Sequence, residues 1–171
     1  LIELAATTEG PDLVAYWGQA GGPEAALDLG AQGAAGDLFV DGALGSRTAW
    51  LRQPYADQPD SRGNRYLDPD VVTEHLIACT RAGVQAGFHA IGDAAIDIVV
   101  DGLRRTMQEC GQAPVRAARH RIDHLTMASH EHAAVLAEAG AIASIQPLFD
   151  AQWGAPGGAY ETRLGAPRHT G

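Results

Sequence analysis

The sequence predicts an α/β fold with a parallel sheet. Short apolar runs alternate along the chain with longer amphipathic stretches. Successive apolar runs start roughly 25–45 residues apart, room for the helical crossover that joins parallel neighbours. Glycines stand just past most of the amphipathic stretches, where helices end.

Composition narrows the classes further. With 171 residues, 46% of them hydrophobic and 19% charged, the chain can bury a core and is no disordered tail. No run of about 18 apolar residues offers a membrane span. The formal net charge of −9 argues against gripping nucleic acid or an anionic membrane. Cys79 and Cys110 form no Cys-x-x-Cys and sit in apolar helical patterns. They read as free thiols in a reducing compartment, the cytoplasm.

The elements follow in order. Residues 12–17 form a first apolar run, closed by Gly18. Residues 25–30 suggest a short helix ended by Gly30. Residues 37–41 predict a second strand, ended by Gly42, and a loop rich in Gly, Pro, Asp and Arg reaches Leu67. Asp68 as cap and Pro69 at the first helical position open a helix carrying Val72, Leu76 and Cys79, stopped by Gly83. Residues 84–91 predict a third strand. Asp93 can cap the next helix, whose stripe is Ile96, Val99, Val100, Leu103 and Met107, with Gly111 after it. Residues 117–125 predict a fourth strand. Ser129 caps a helix through Ala139, and residues 141–146 predict a fifth strand, broken by Pro147.

Function gathers where parallel strands end. The polar residues there are Gln19, Asp41, Ser46, Arg47, His89, Asp93, Asp123, His124 and Gln146. Histidines at two neighbouring strand ends, with acids nearby, make a metal-site pattern. The plainer readings stay open at this point: each His as a hydrogen-bonded core residue, Asp93 as a cap, Asp41-Gly42 as a turn. His120 and His124 have the spacing of helical zinc ligands, but on a strand they lie about 13 Å apart and cannot share an ion. His130-Glu-His132 reads as the solvated first turn of a helix. The loop from Gly42 to Ser46 matches neither a P-loop nor a dinucleotide fingerprint, and no Gly-x-Ser-x-Gly elbow occurs.

Four ordered segments carry a resemblance. Leu38-Phe-Val-Asp-Gly-Ala-Leu-Gly-Ser-Arg-Thr-Ala49, Phe88-His-Ala-Ile-Gly-Asp93, Arg121-Ile-Asp-His124 and Ala143-Ser-Ile-Gln-Pro147 resemble the amidohydrolase superfamily. The branch they are most similar to is the YtcJ-like, family-3 group, which includes N-substituted formamide deformylases. The resemblance implies part of a (β/α)8 TIM barrel, about strands 3 to 7, truncated at both ends, with residues 1–171 as one partial domain. It also implies metal-activated water attacking a carbonyl at a non-peptide C–N bond, with a small amide-type molecule as substrate. His89 and His124 match the metal-binding histidines of strands 5 and 6. One or two divalent ions are implied, with zinc expected. Asp41 is implied as catalytic, and Arg47 and Gln146 as substrate-binding.

Two departures stand out. Where the family has a bridging Lys, this chain has Asp37, a candidate direct ligand, although Asp37 and Asp41 would lie about 13 Å apart on one strand. Asp123 replaces the Glu of Arg-Ile-Glu-His. The His-x-His of strand 1 and the Asp of strand 8 fall outside these residues, so the chain alone is expected to be inactive. The alternatives are a non-catalytic barrel remnant or scaffold, and a hydrolase of cyclic amides or esters. Self-association stays open.

Overall fold

The computed structural model describes residues 10, 12–36, 38–166 and 168. Four short strands pair in chain order, and every pair is parallel. They are β1 (Gly33–Ala34), β2 (Gln85–Ala90), β3 (Arg121–His124) and β4 (Ile142–Ser144). The helices are α1 (Glu24–Asp28), α2 (Pro69–Ala82), α3 (Asp93–Cys110), α4 (Gln112–Ala118), α5 (His130–Ala139), α6 (Pro147–Trp153) and α7 (Ala159–Leu164). The expected α/β class with a parallel sheet is what the chain forms.

The core lies between one face of the sheet and the helices. Val40, Phe88 and Ile122 project from neighbouring strand segments and are essentially unexposed. Each such side chain contributes about 1.5–3 kcal/mol by leaving water. The predicted stripe of α3 is buried at Ile96, Val99, Val100 and Leu103, and packs with Val72, Leu76 and Cys79 of α2. The two helices approach so closely that a Cβ on Gly102 would stand 3.0 Å from Leu76 Cδ1. Burial pushes the Cys79 thiol up to about 12, so it stays protonated. Both cysteines are free.

Several sequence expectations change. Residues 12–17 form no strand: Tyr16 alone makes a parallel bridge to Gly33, and Leu13 and Val14 are exposed, with no described helix over them. The strand expected over residues 37–41 begins earlier, at Gly33–Ala34. It bends at Gly36 (φ 84°) and resumes only as a bridge between Phe39 and His89. Five steps from Ala34 to Phe39 oppose three on β2, so the register slips by two residues between these pairs. Asp37 lies outside the described residues.

The strand expected over residues 117–125 shortens to Arg121–His124, because α4 occupies residues up to Ala118 and Arg119 caps it with φ 50°. Pro114 sits in the first turn of α4, where it sacrifices no hydrogen bond. Pro147 opens α6 rather than only ending β4. Asp68 holds the cap position of α2, but its carboxylate takes the Arg65 guanidinium at 2.6 Å instead. Gly92 is the cap of α3, and Asp93 is its first residue. Ser129 does cap α5, in a reciprocal box in which Ser129 N–H donates to His132 Nδ1. His132 is therefore buried, not solvated. Its Nε2 donates to Asp97 at 2.9 Å, where Arg52 also binds.

His120 joins α2 to the sheet. Its Nδ1 accepts from Ala86 N–H at 3.0 Å, and its Nε2 meets Thr80 Oγ1 at 2.8 Å. Burial lowers its pKa to about 4. The folded protein keeps this ring neutral, whereas the unfolded chain takes up a proton below about pH 6.5. Stability is therefore lost as pH falls from 6.5 towards 4, by about 2 kcal/mol at pH 5 from this ring. Urea unfolding of the wild type and His120→Gln at pH 7 and pH 5 checks this; a wild-type loss no larger than the variant's contradicts it.

Candidate functional site

Asp41 ends the first strand segment with its side chain fully buried. It accepts three backbone N–H groups: Trp50 at 2.8 Å, Ile91 at 3.0 Å and Gly92 at 2.8 Å. Burial pushes its carboxyl up to about 6, against the pull of those three donors and of His89, whose Nε2 is 3.8 Å away. The space is closed to side chains: a Cβ on Gly92 would sit 2.1 Å from Trp50 O. Asp41 thus clamps the ends of two strands and the following loop together.

His89 stands on β2, opposite Asp123 in the strand register. Its Nε2 donates to Gly42 O at 3.0 Å, so in the neutral ring the lone pair lies on Nδ1. His124 ends β3, opposite Ala90. Regular pleating would aim it with Ile122 toward the helices. Its φ of 77° breaks that alternation, Leu125 follows at 53°, and the rings of His89 and His124 meet edge to face with centroids 4.5 Å apart. His124 Nδ1 is buried without a hydrogen-bond partner. Burial, and then the neighbouring His89, hold its pKa below the usual value and so keep the ring neutral.

Both rings face a cavity of about 330 Å3 at the C-terminal ends of the strands. Its other walls include Leu44, Ile91, Thr126, Phe149, Trp153 and Tyr160. Phe149 stacks over His124 at 6.4 Å and touches Trp153 at 4.8 Å; Trp153 meets Tyr160 at 6.1 Å. Among the described residues, no Asp, Glu, Lys or Arg lines this chamber. A more polar opening of about 290 Å3 adjoins it at His124, bordered by Gln146, Thr126 and Asp150.

The expected residues therefore divide. His89 and His124 come together. Gln146 borders the polar opening, with its amide nitrogen donating to Ser144 O at 3.2 Å. Arg47 turns to Asp57, which takes Nε at 3.1 Å and Nη2 at 2.9 Å. Among the described residues, no group of three His, Cys, Asp or Glu converges for a cation. Sequence reading missed the aromatic wall. Its signal was present in the i, i+4 pair Phe149 and Trp153 directly after a helix-opening Pro147.

A sequence model described as the amidohydrolase family matches residues 3–171. Protein LONG AFTER FAR-RED 3 of Arabidopsis thaliana is 32% identical over 109 residues, 64% of this chain and 18% of its own length. "Putative amidohydrolase YtcJ" of Bacillus subtilis (strain 168) is 30% identical over 113 residues, 66% of this chain and 20% of its own. Two solved structures of uncharacterized metal-dependent hydrolases are also similar. The one from Pyrococcus furiosus has a TM-score of 0.65 at 27% identity, covering 85% of this chain and 30% of that one. The one from Pyrococcus horikoshii OT3 has a TM-score of 0.59 at 26% identity, covering 76% and 24%. The chain spans about a fifth of the length of these curated relatives.

Asp41→Ala would strand three buried N–H donors, each costing about 1–3 kcal/mol. The expected result is a loss of roughly 3–6 kcal/mol in chemical denaturation, with Asp41→Asn between it and the wild type. A loss for Asp41→Ala below about 1 kcal/mol would contradict the clamp.

Proposed function

The chain belongs to the amidohydrolase family, and from that premise we propose that it is part of a metal-dependent hydrolase cleaving a non-peptide C–N bond of an amide or formamide. Its strands are those of a partial TIM-type barrel, the fold class of the similar hydrolase structures. The observation that carries the proposal is the pairing of His89 with His124, whose Nδ1 is buried and unpartnered, at neighbouring strand ends. Such an orphaned nitrogen fits a metal ligand, because a buried polar atom with no partner otherwise costs stability.

His89 and His124 would hold a divalent ion, with zinc the expected one, and Asp37 stands as a further candidate ligand. A bound divalent ion supplies an acidified water and polarises the scissile carbonyl. The carbonyl O of Gly42 fixes the His89 tautomer, as hydrogen-bonded partners of ligating imidazoles do. Asp41 acts behind His89 by holding the strand end in place rather than by touching substrate. Gln146 borders the place where an amide would lie beside His124 and is proposed to contact it. The uncharged aromatic chamber suits an apolar substituent on the substrate. Arg47, already engaged by Asp57, shapes the chamber's loop instead of meeting substrate. The chain spans about a fifth of its curated relatives' length, and it is proposed to be inactive by itself.

The test is hydrolysis of N-substituted formamides and N-acyl amines by the complete parent protein, before and after chelation. Turnover should vanish with chelator and return with zinc, and His124→Ala should lower kcat/KM by about 100-fold or more. Turnover indifferent both to chelator and to His124→Ala would overturn the proposal.

A further inference from the structure

Beyond the imidazole pair, one wall of the mouth is built from two segments distant in sequence. Residues 43–67 leave the sheet, and α7 packs on them rather than on the main core. Leu44, Ala49, Leu51, Tyr55, Ile91, Tyr160 and Leu164 form a separate apolar cluster. Leu44 and Gly45 from this loop, with Ala159 and Tyr160 from α7, also wall the chamber. The two pieces are far apart in sequence, and their seam runs along the chamber wall. Polar contacts stitch that seam. Asp57 receives Arg47 in a two-pronged pair and Arg163 of α7 at the same time. The Arg163 guanidinium reaches on to Gly45 O, and its backbone carbonyl accepts Ala56 N–H at 2.8 Å. The Arg168 guanidinium donates to Pro54 O at 2.8 Å. Arg47 itself is held at φ 58°, a backbone state that is costly for a residue with a Cβ and persists only where surroundings enforce it.

We propose that Asp57 is a positioning residue that locks the 43–67 loop against α7 and thereby fixes the width, and so the substrate selectivity, of the apolar chamber. The selectivity part rests on the chamber being the substrate site, as proposed above. At the centre of the lock one carboxylate stands between two guanidiniums. Take it away and two like charges face each other across the seam, pushing the loop and the helix apart. The lock is only partly exposed, so salt weakens it less than it weakens a free surface pair.

The experiment uses the full chain, with amide hydrogen exchange and with binding of benzamide as an apolar probe and of zinc. In Asp57→Asn, exchange at the Ala56 amide should quicken about tenfold while that at Ile91, under Asp41, stays as in the wild type. Benzamide affinity should fall about fivefold, zinc affinity should hold, and Asp57→Glu should recover the benzamide affinity. Unchanged exchange and unchanged benzamide affinity in Asp57→Asn would overturn the proposal. If Asp57→Asn unfolds, the Ile91 amide exchanges too, and Arg47→Gln decides instead: faster Ala56 exchange with Ile91 protected supports the lock, and no change refutes it. A wild type that binds zinc but no benzamide sinks the selectivity role and the chamber as substrate site, while the exchange result still reports on the lock.

Discussion

The arrangement at the strand ends hangs on one buried carboxylate. Asp41 gathers amides from Trp50, Ile91 and Gly92, groups that lie up to 51 positions away in sequence. Desolvating a carboxylate is expensive, and its raised pKa records that burial outweighs the pull of its donors. The expense is offset locally by charge-assisted hydrogen bonds, and it secures a fixed relation between one strand end, the next strand and the loop over both. His89 sits two residues before Ile91 and donates to Gly42, the residue after Asp41. The imidazole is therefore referenced to the same anchor through backbone on both sides.

The second imidazole reaches the first by breaking a rule of regular strands. At β3 the left-handed pair His124 and Leu125 turns a residue due to face the helices back toward the strand-end mouth. That backbone costs about 1–3 kcal/mol, the kind of local strain that functional sites store. The return is a neutral ring with an unpartnered nitrogen beside its twin, backed by the aromatic wall of Phe149, Trp153 and Tyr160. A low-polarity chamber around such nitrogens strengthens whatever charge interaction they make.

Helical order was the most legible part of the sequence. α3 is long, strongly periodic and bounded by glycines, and its stripe is buried as read. β2 was readable for the same reason, since its residues lie between two clear helices. The strand over residues 37–41 starts earlier than its pattern suggests, because the backbone bends at Gly36 in a way that no period reveals. The start of β3 was misread because residues 112–118 are poor in large apolar side chains, and their helix is held by packing of Val115 and Ala118 rather than by pattern. Within the site, residue types at strand ends pointed to His89 and His124. What no sequence spacing carries is the φ of His124, or the fact that Asp57 captures Arg47. Both are tertiary: one is a strained backbone fixed by its neighbours, the other a pair completed by an arginine more than a hundred positions away.

We propose that His89 and His124, on adjacent strands, share one cation. X-ray absorption of the zinc-loaded chain reads this most directly, because imidazole back-scattering counts the histidine ligands. Two imidazole nitrogens are expected at about 2.0–2.1 Å, falling to one in His124→Ala. A wild-type spectrum with a single imidazole, or one that His124→Ala leaves unchanged, would contradict it.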